Sequence, residues 1–136
     1  MPLIVSFSGH MDDTTSMADL ILPQGDPLEE WGTNIPDPGP GYQTLGFQQP
    51  VVRPFFESKG KHYGNKSFSD SLISISKTMD LDIKINSDSI KDLVKEDSKK
   101  LFDLNRGSVR AQNDKEFWVG VLQRGGWWDV KNMFKG

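Results

Sequence analysis

Pro2-Leu-Ile-Val-Ser-Phe7, then Ser8-Gly-His-Met-Asp-Asp-Thr-Thr15, then Leu20-Ile-Leu-Pro23, is the stretch whose reading decides the fold. The first run is short, apolar and β-branched, which predicts a buried strand. Ser8-Gly9-His10 interrupts it. Asp12, Asp13 and Thr14 are favourable N-cap residues, so a turn or two of helix is expected over 15–19. Leu20-Ile-Leu22 returns to an extended form, because the residue before a proline is pushed out of the helical region. Strand, loop, short helix and second extended run together predict an α/β arrangement. In a parallel α/β sheet, ligands bind beyond the carboxyl ends of the strands. A loop of small and hydroxylated residues leading into a helix N-terminus suits an anionic or hydrogen-bonding ligand. Asp12 and Asp13 read first as helix caps, since adjacent carboxylates rarely act as an acid–base pair.

Outward from this stretch the pattern changes. From residue 24 to 54, glycine and proline recur so often that regular structure is expected to be sparse. The same segment carries Leu28, Trp31, Tyr42, Leu45, Phe47, Val51, Val52, Phe55 and Phe56. A disordered linker would lack such aromatic content. The expectation is a long irregular loop that packs against a surface, which this chain need not supply. Three helices follow. Ser67 caps the first, with Phe68, Leu72, Ile75 and Met79 on one apolar face. The second follows Ser87 and presents Ile90, Leu93, Val94, Leu101 and Phe102, with a charged opposite face. The third runs over 115–124, with Asn113 and Glu116 at capping-box spacing and Gly125-Gly126 ending it. Residues 80–86 alternate strictly and predict a short strand. Met11, Met17 and Met79 read as packing residues. By composition the chain divides into 1–58, the strand with its loops, and 59–136, the helical segment.

Composition narrows the chemistry. The 136 residues are 35% hydrophobic and 26% charged, with thirteen glycines and eight prolines. No run approaches the ~18 apolar residues of a membrane-spanning helix, so no direct membrane insertion is expected. Residues 1–6 lack the basic and long apolar regions of a signal peptide. With no cysteine there is no disulfide, thiolate zinc site or cysteine-ligated cluster. The net charge of −3 argues against nucleic acid as a partner. His10 and His62 are far apart and lack a helical ligand partner, so no metal site is expected. No nucleophile–base pair, Walker loop or dinucleotide fingerprint appears, and catalytic residues are not assigned.

The residues do resemble a family. Asp13-Thr14, Ala18-Asp19, Leu20-Ile-Leu22 and Pro23, then Glu29 and Gly32-Thr33, resemble a segment of the large subunits of molybdopterin oxidoreductases, the DMSO-reductase family of complex iron–sulfur molybdoenzymes. Trp31 stands where an acidic residue is common in that pattern. Gly46-Phe-Gln-Gln-Pro-Val-Val-Arg-Pro54 resembles a further element, and Phe68-Ser-Asp-Ser-Leu-Ile-Ser-Ile-Ser76 the helix after it. Phe117-Trp118 and Leu122-Gln-Arg-Gly-Gly-Trp-Trp-Asp129 are similar to the quinone-reductase and alternative-complex-III branch.

The resemblance implies a fragment of a Rossmann-like molybdopterin-binding domain, internal to a much longer subunit in respiratory electron transfer. It implies that Ser8, His10, Asp12, Asp13 and Thr14 line a molybdopterin guanine dinucleotide site in the full-length parent, with no cofactor expected on the isolated chain. Glu29, Gly32 and Thr33 then hold the neighbouring loop. Expected partners are the remainder of the large subunit and the iron–sulfur and membrane subunits of the complex. The parent is expected to be periplasmic or membrane-associated. Trp118, Trp127 and Trp128 read either as core or as anchors of a partner interface. Arg53 and Arg124 suit phosphates, a partner's carboxylates or surface ion pairs. The alternative is a non-enzymatic, partner-binding module of a redox complex, which uses these tryptophans and the proline-rich loop. Phe117, Val121 and Trp127 separate the two. Packing on the chain's own core favours the module, and exposure favours a missing remainder.

Overall fold

Alternation and capping explain most of the elements that form. The computed structural model describes residues 2–36, 41–53, 66–79 and 85–129. The expected strand at 80–86 and His62 fall largely or wholly outside them. The described residues form a mixed α/β arrangement with three α-helices and two small sheets. It divides into two compact units, Met1–Glu30 with Pro50–Asp88, and Trp31–Gln49 with Ser89–Gly136. Each unit therefore draws on both of the segments, 1–58 and 59–136, that composition distinguishes.

In the first unit, β1 (Val5–Ser6) pairs in parallel with β2 (Leu20–Ile21), Val5 opposite Leu20 and Ser6 opposite Ile21. Flanking bonds lengthen the contact: the Asp19 and Leu20 amides donate to Ile4, that of Leu22 to Ser6 and that of Gln24 to Phe7. The strand is shorter and more open than expected, with Leu3 and Ile4 exposed. The helix expected over 15–19 is a single 3-10 turn, Thr15–Met17. Asp12 caps the Thr15 amide at 2.6 Å, but Ala18 already has extended backbone. Leu20 and Ile21, which a continued helix would carry, pair with Val5 and Ser6 in the sheet instead. Met11 and Met17 are exposed here, so they are not the packing residues that the sequence predicts.

Helix α1 (Phe68–Thr78) starts where Ser67 accepts the Asp70 amide at 2.9 Å. Its buried residues are Ile73 and Ser76. The predicted apolar stripe lies elsewhere on the helix and is largely open: Phe68 is 44%, Leu72 46%, Ile75 40% and Met79 63% exposed. Periodicity specifies which residues share a face, and the face still needs a surface to meet. Phe7 supplies a little of one, edge-on to Phe68 at 4.9 Å.

The second unit holds a three-stranded antiparallel sheet in the order β3 (Gly32–Asn34), β4 (Thr44–Gln48) and β5 (Gly126–Trp128). Two of these strands lie in the segment expected to be irregular. Leu45 and Phe47 share a face at the two-residue strand period, and both pack into the core. The surface this segment covers is therefore, in this part, the chain's own.

Helix α2 (Ile90–Asp103) begins at Ser89, two residues later than expected, with the Ser89 hydroxyl accepting the Asp92 amide. Helix α3 (Asp114–Arg124) is capped by Asn113, whose Oδ1 accepts the Glu116 amide at 2.9 Å. It ends at Gly125, whose φ of 71° lies in the left-handed region. The two helices and the sheet enclose Phe47, Val94, Val109, Phe117, Val121 and Trp127. Phe102 meets Phe117 at 5.7 Å. Fully burying each such side chain contributes roughly 1.5–3 kcal/mol.

Candidate functional site

The loop after β1 carries the residues expected to face a cofactor, and its polar atoms largely serve the loop itself. Ser8 Oγ donates to the His10 carbonyl at 2.8 Å and accepts the His10 amide at 3.1 Å. Asp12 caps Thr15, and the Thr15 hydroxyl meets Ser6 Oγ at 2.9 Å. Hydrogen bonds from the Thr15 amide and hydroxyl hold the Asp12 carboxyl below its ordinary range. His10, Asp13 and Thr14 are exposed.

This arrangement can be tested against a pterin–guanine dinucleotide. Residues 8–19 hold Asp12, Asp13 and Asp19 and no Lys or Arg, so the loop is unsuited to a pyrophosphate. The Thr15 amide, which a phosphate would seek, is taken by Asp12. The exposed carboxylate of Asp13 can accept hydrogen bonds from a guanine or pterin N–H edge. The loop thus offers exposed hydrogen-bond acceptors and no cationic side chain.

Glu29 completes a capping box in the 3-10 turn Pro27–Glu29. Asp26 accepts the Leu28 amide at 2.8 Å, and Glu29 accepts the Asp26 amide at 3.3 Å. Gly32 and Thr33 begin β3, opposite Gln48 and Phe47. Next to the box, burial and then the charge of Asp70 push the Glu30 carboxyl above its ordinary value.

The tryptophans separate by role. Trp127 is 3% exposed and sits in the core, its Nε1–H donating to the Arg106 carbonyl at 3.1 Å. Phe117 and Val121 are buried with it. Trp118 is half-buried, stacked on Trp31 at 5.7 Å and edge-on to Phe47 at 6.3 Å. Lys91 lies over Trp31, 5.4 Å from the ring centre. Trp128 is half-buried, with the Arg124 guanidinium 6.0 Å from its ring centre. Asp129 is fully buried, 3.3 Å from Arg106 Nη2.

Cavities open on the second unit among the described residues. One, of about 500 Å³, lies along α3 and is lined in part by Arg110, Lys115, Glu116, Val119 and Arg124. Another, of about 230 Å³, lies at the strand ends among Asn34, Pro36, Leu45 and Trp128, and Arg124 lines it too. The sequence reading singles out Arg124 alone of these cationic residues. The signal for Lys115 is helical spacing: Lys115 and Val119, like Glu116 and Gly120, stand four residues apart, whereas Arg110 lies before the helix. Among the described residues no group of three or more His, Asp or Glu is placed to hold a metal ion, and no helix is long and apolar enough to cross a membrane. Comparison with family models, curated proteins and solved structures finds no match to this chain.

Proposed function

We propose that this chain is a non-catalytic, structural part of a molybdopterin-oxidoreductase-like large subunit in a quinone-linked respiratory complex. In this reading, the first unit belongs to a Rossmann-like cofactor-binding domain and is closed over by further protein of the same subunit. The second unit is a self-supporting element that offers a docking surface. The parent transfers electrons, with molybdopterin guanine dinucleotide contacted from the β1 loop through Asp13 and its neighbours.

One observation carries the structural part. Among the described residues of the first unit, Ile73 is the fully buried large apolar side chain, whereas Leu28, Val51, Phe68, Leu72, Ile75 and Met79 are exposed. An apolar stripe at helical spacing is a costly feature to leave in water and is characteristic of a covered face. The partner-binding alternative draws support from a different observation: Phe117, Val121 and Trp127 pack on the chain's own core. That favours independence of the second unit, and the proposal adopts it for that unit alone.

A two-dimensional amide NMR spectrum of the full chain tests the division. The reading expects dispersed, exchange-protected signals from α2 and α3, and weak protection across α1 with dye binding to exposed apolar surface. Full protection of α1, with no dye binding, would sink the covered-face reading. The cofactor side is tested by titrating guanosine monophosphate. Shifts at His10, Asp13 and Thr14, lost in Asp13→Ala, support it, and an unresponsive loop removes it.

A further inference from the structure

We infer that the groove along α3 is a docking site for an acidic peptide segment of a partner protein. The inference uses the second unit alone and stands whether or not the chain belongs to a molybdopterin-type subunit. Arg110, Lys115 and Arg124 all line the groove, against one carboxylate, that of Glu116. Glu116 is itself turned to local work, accepting the Gln112 amide at 3.1 Å. Arg110 donates to the Asn105 carbonyl at 3.0 Å, and Arg124 lies over Trp128. No carboxylate among the described residues forms an ion pair with any of the three cations.

Helix stability does not account for the set. Arg124, in the last turn, complements the helix dipole, but Lys115 stands in the first turn, where a cation is disfavoured. In a chain of net charge −3, this is a local excess of positive charge. Shape narrows the ligand further. Val119 is half-exposed in the floor between the cations. Arg124 also lines the second cavity, where Pro36, Leu45 and Trp128 present apolar surface beside Asn34. The site is thus elongated, cationic at one end and apolar with polar atoms at the other. A point anion needs only the first part. A nucleic acid would be expected to use stacked aromatic rings along a basic track, and the cationic groove has no aromatic residue in its lining. An extended peptide that carries carboxylates beside apolar side chains matches both parts.

The test uses the full chain and fluorescence anisotropy with a labelled peptide of alternating glutamate and leucine, beside an oligothymidylate of equal charge. The peptide is expected to bind saturably and more tightly than the oligonucleotide. Lys115→Glu with Arg124→Glu should weaken it about tenfold or more, since both contacts turn from attractive to repulsive. Lys95→Glu with Lys99→Glu on α2, an equal change of net charge, should leave binding unchanged. If the first reversal unfolds the chain by circular dichroism, Lys115→Gln with Arg124→Gln carries the same test, with about a threefold loss expected. Absence of saturable peptide binding, equal loss in both reversals, or tighter binding of the oligonucleotide overturns the inference.

Discussion

Replacing Gly107 with alanine should unfold the second unit more readily than any other single methyl added to a glycine there. Two separate costs meet at this position. Its φ of 99° lies where a side chain is strained, at about 1–2 kcal/mol. A Cβ there would also stand 2.0 Å from Trp127 Nε1 and 2.3 Å from Cε2. That ring is buried and hydrogen-bonded to the Arg106 carbonyl, so it has no free direction in which to move. Displacing it costs about 1–3 kcal/mol in overpacking and about 1 kcal/mol for the hydrogen bond. The expected loss is therefore on the order of 4 kcal/mol. Gly125 supplies the control: its φ is 71°, with nothing within 4 Å of the added methyl, so only the strain applies. All four tryptophans belong to the second unit, and urea unfolding followed by tryptophan fluorescence reports on that unit alone. At about 1–3 kcal/mol per molar, the two midpoints should differ by roughly 1 M or more. A Trp127→Phe background, which removes the indole atoms in the way, should shrink the Gly107→Ala cost by about 2 kcal/mol. Equal costs at Gly107 and Gly125, or no coupling to Trp127, would refute the reasoning.

Other expectations follow from single contacts. Arg106→Met deprives the buried Asp129 carboxylate of its cation and should cost about 3 kcal/mol by the same urea assay, whereas a loss below about 1 kcal/mol would show the pair to be incidental. Glu30 has its folded pKa raised, so in the folded state it binds protons more readily than unfolded glutamate, and its ionisation opposes folding as pH rises through that window. Glu30→Gln should therefore stabilise the first unit at neutral pH, measured by amide exchange at Ile73, with the gain fading as pH falls from the raised folded value toward the ordinary one and gone below about 4.3. Asp12 is the opposite case: its folded pKa is depressed, so its contribution is present above the ordinary aspartate value of about 3.9 and lost as pH falls through the lower folded value. Carbon-detected titration of the Asp12 carboxyl should place its midpoint below that of the same carboxyl in the urea-unfolded chain, with Thr15 amide protection lost along with it; equal midpoints would refute the assignment.

Local signals were legible where a side chain acts on its own neighbours. Ser67, Asn113 and Gly125 mark helix ends because capping and the left-handed turn are decided within a few residues. Val94, Phe117 and Val121 could be placed on helices, and they do form the core. The helix over 15–19 shrank to one turn because Leu20 and Ile21 pair with β1 and the chain is already extended at Ala18. β3 and β4 were hidden by surrounding glycines and prolines, and by a partner strand, β5, far along the chain. The α1 stripe misled in another way: its period was right, yet Phe68, Leu72, Ile75 and Met79 stay largely open. At the candidate sites, the β1 loop was visible as chemistry, but its internal hydrogen bonds were not. The α3 groove was missed because Arg110 joins it from a loop, outside the helical period.

The interleaving of the two units also bears on synthesis. The chain leaves one unit for the other at residues 30–31, 49–50 and 88–89. β4, with Phe47, emerges early, but β5 and Trp127, which complete its core, emerge some eighty residues later. Until residue 90 is reached, the apolar side chains of β4 have no native partners from α2 or α3 to cover them. The first unit's second segment is meanwhile made in full, as an insertion within a half-built neighbour. A nascent chain stalled before Ile90 would thus expose Leu45 and Phe47 together, a natural target for a chaperone that binds short extended apolar segments.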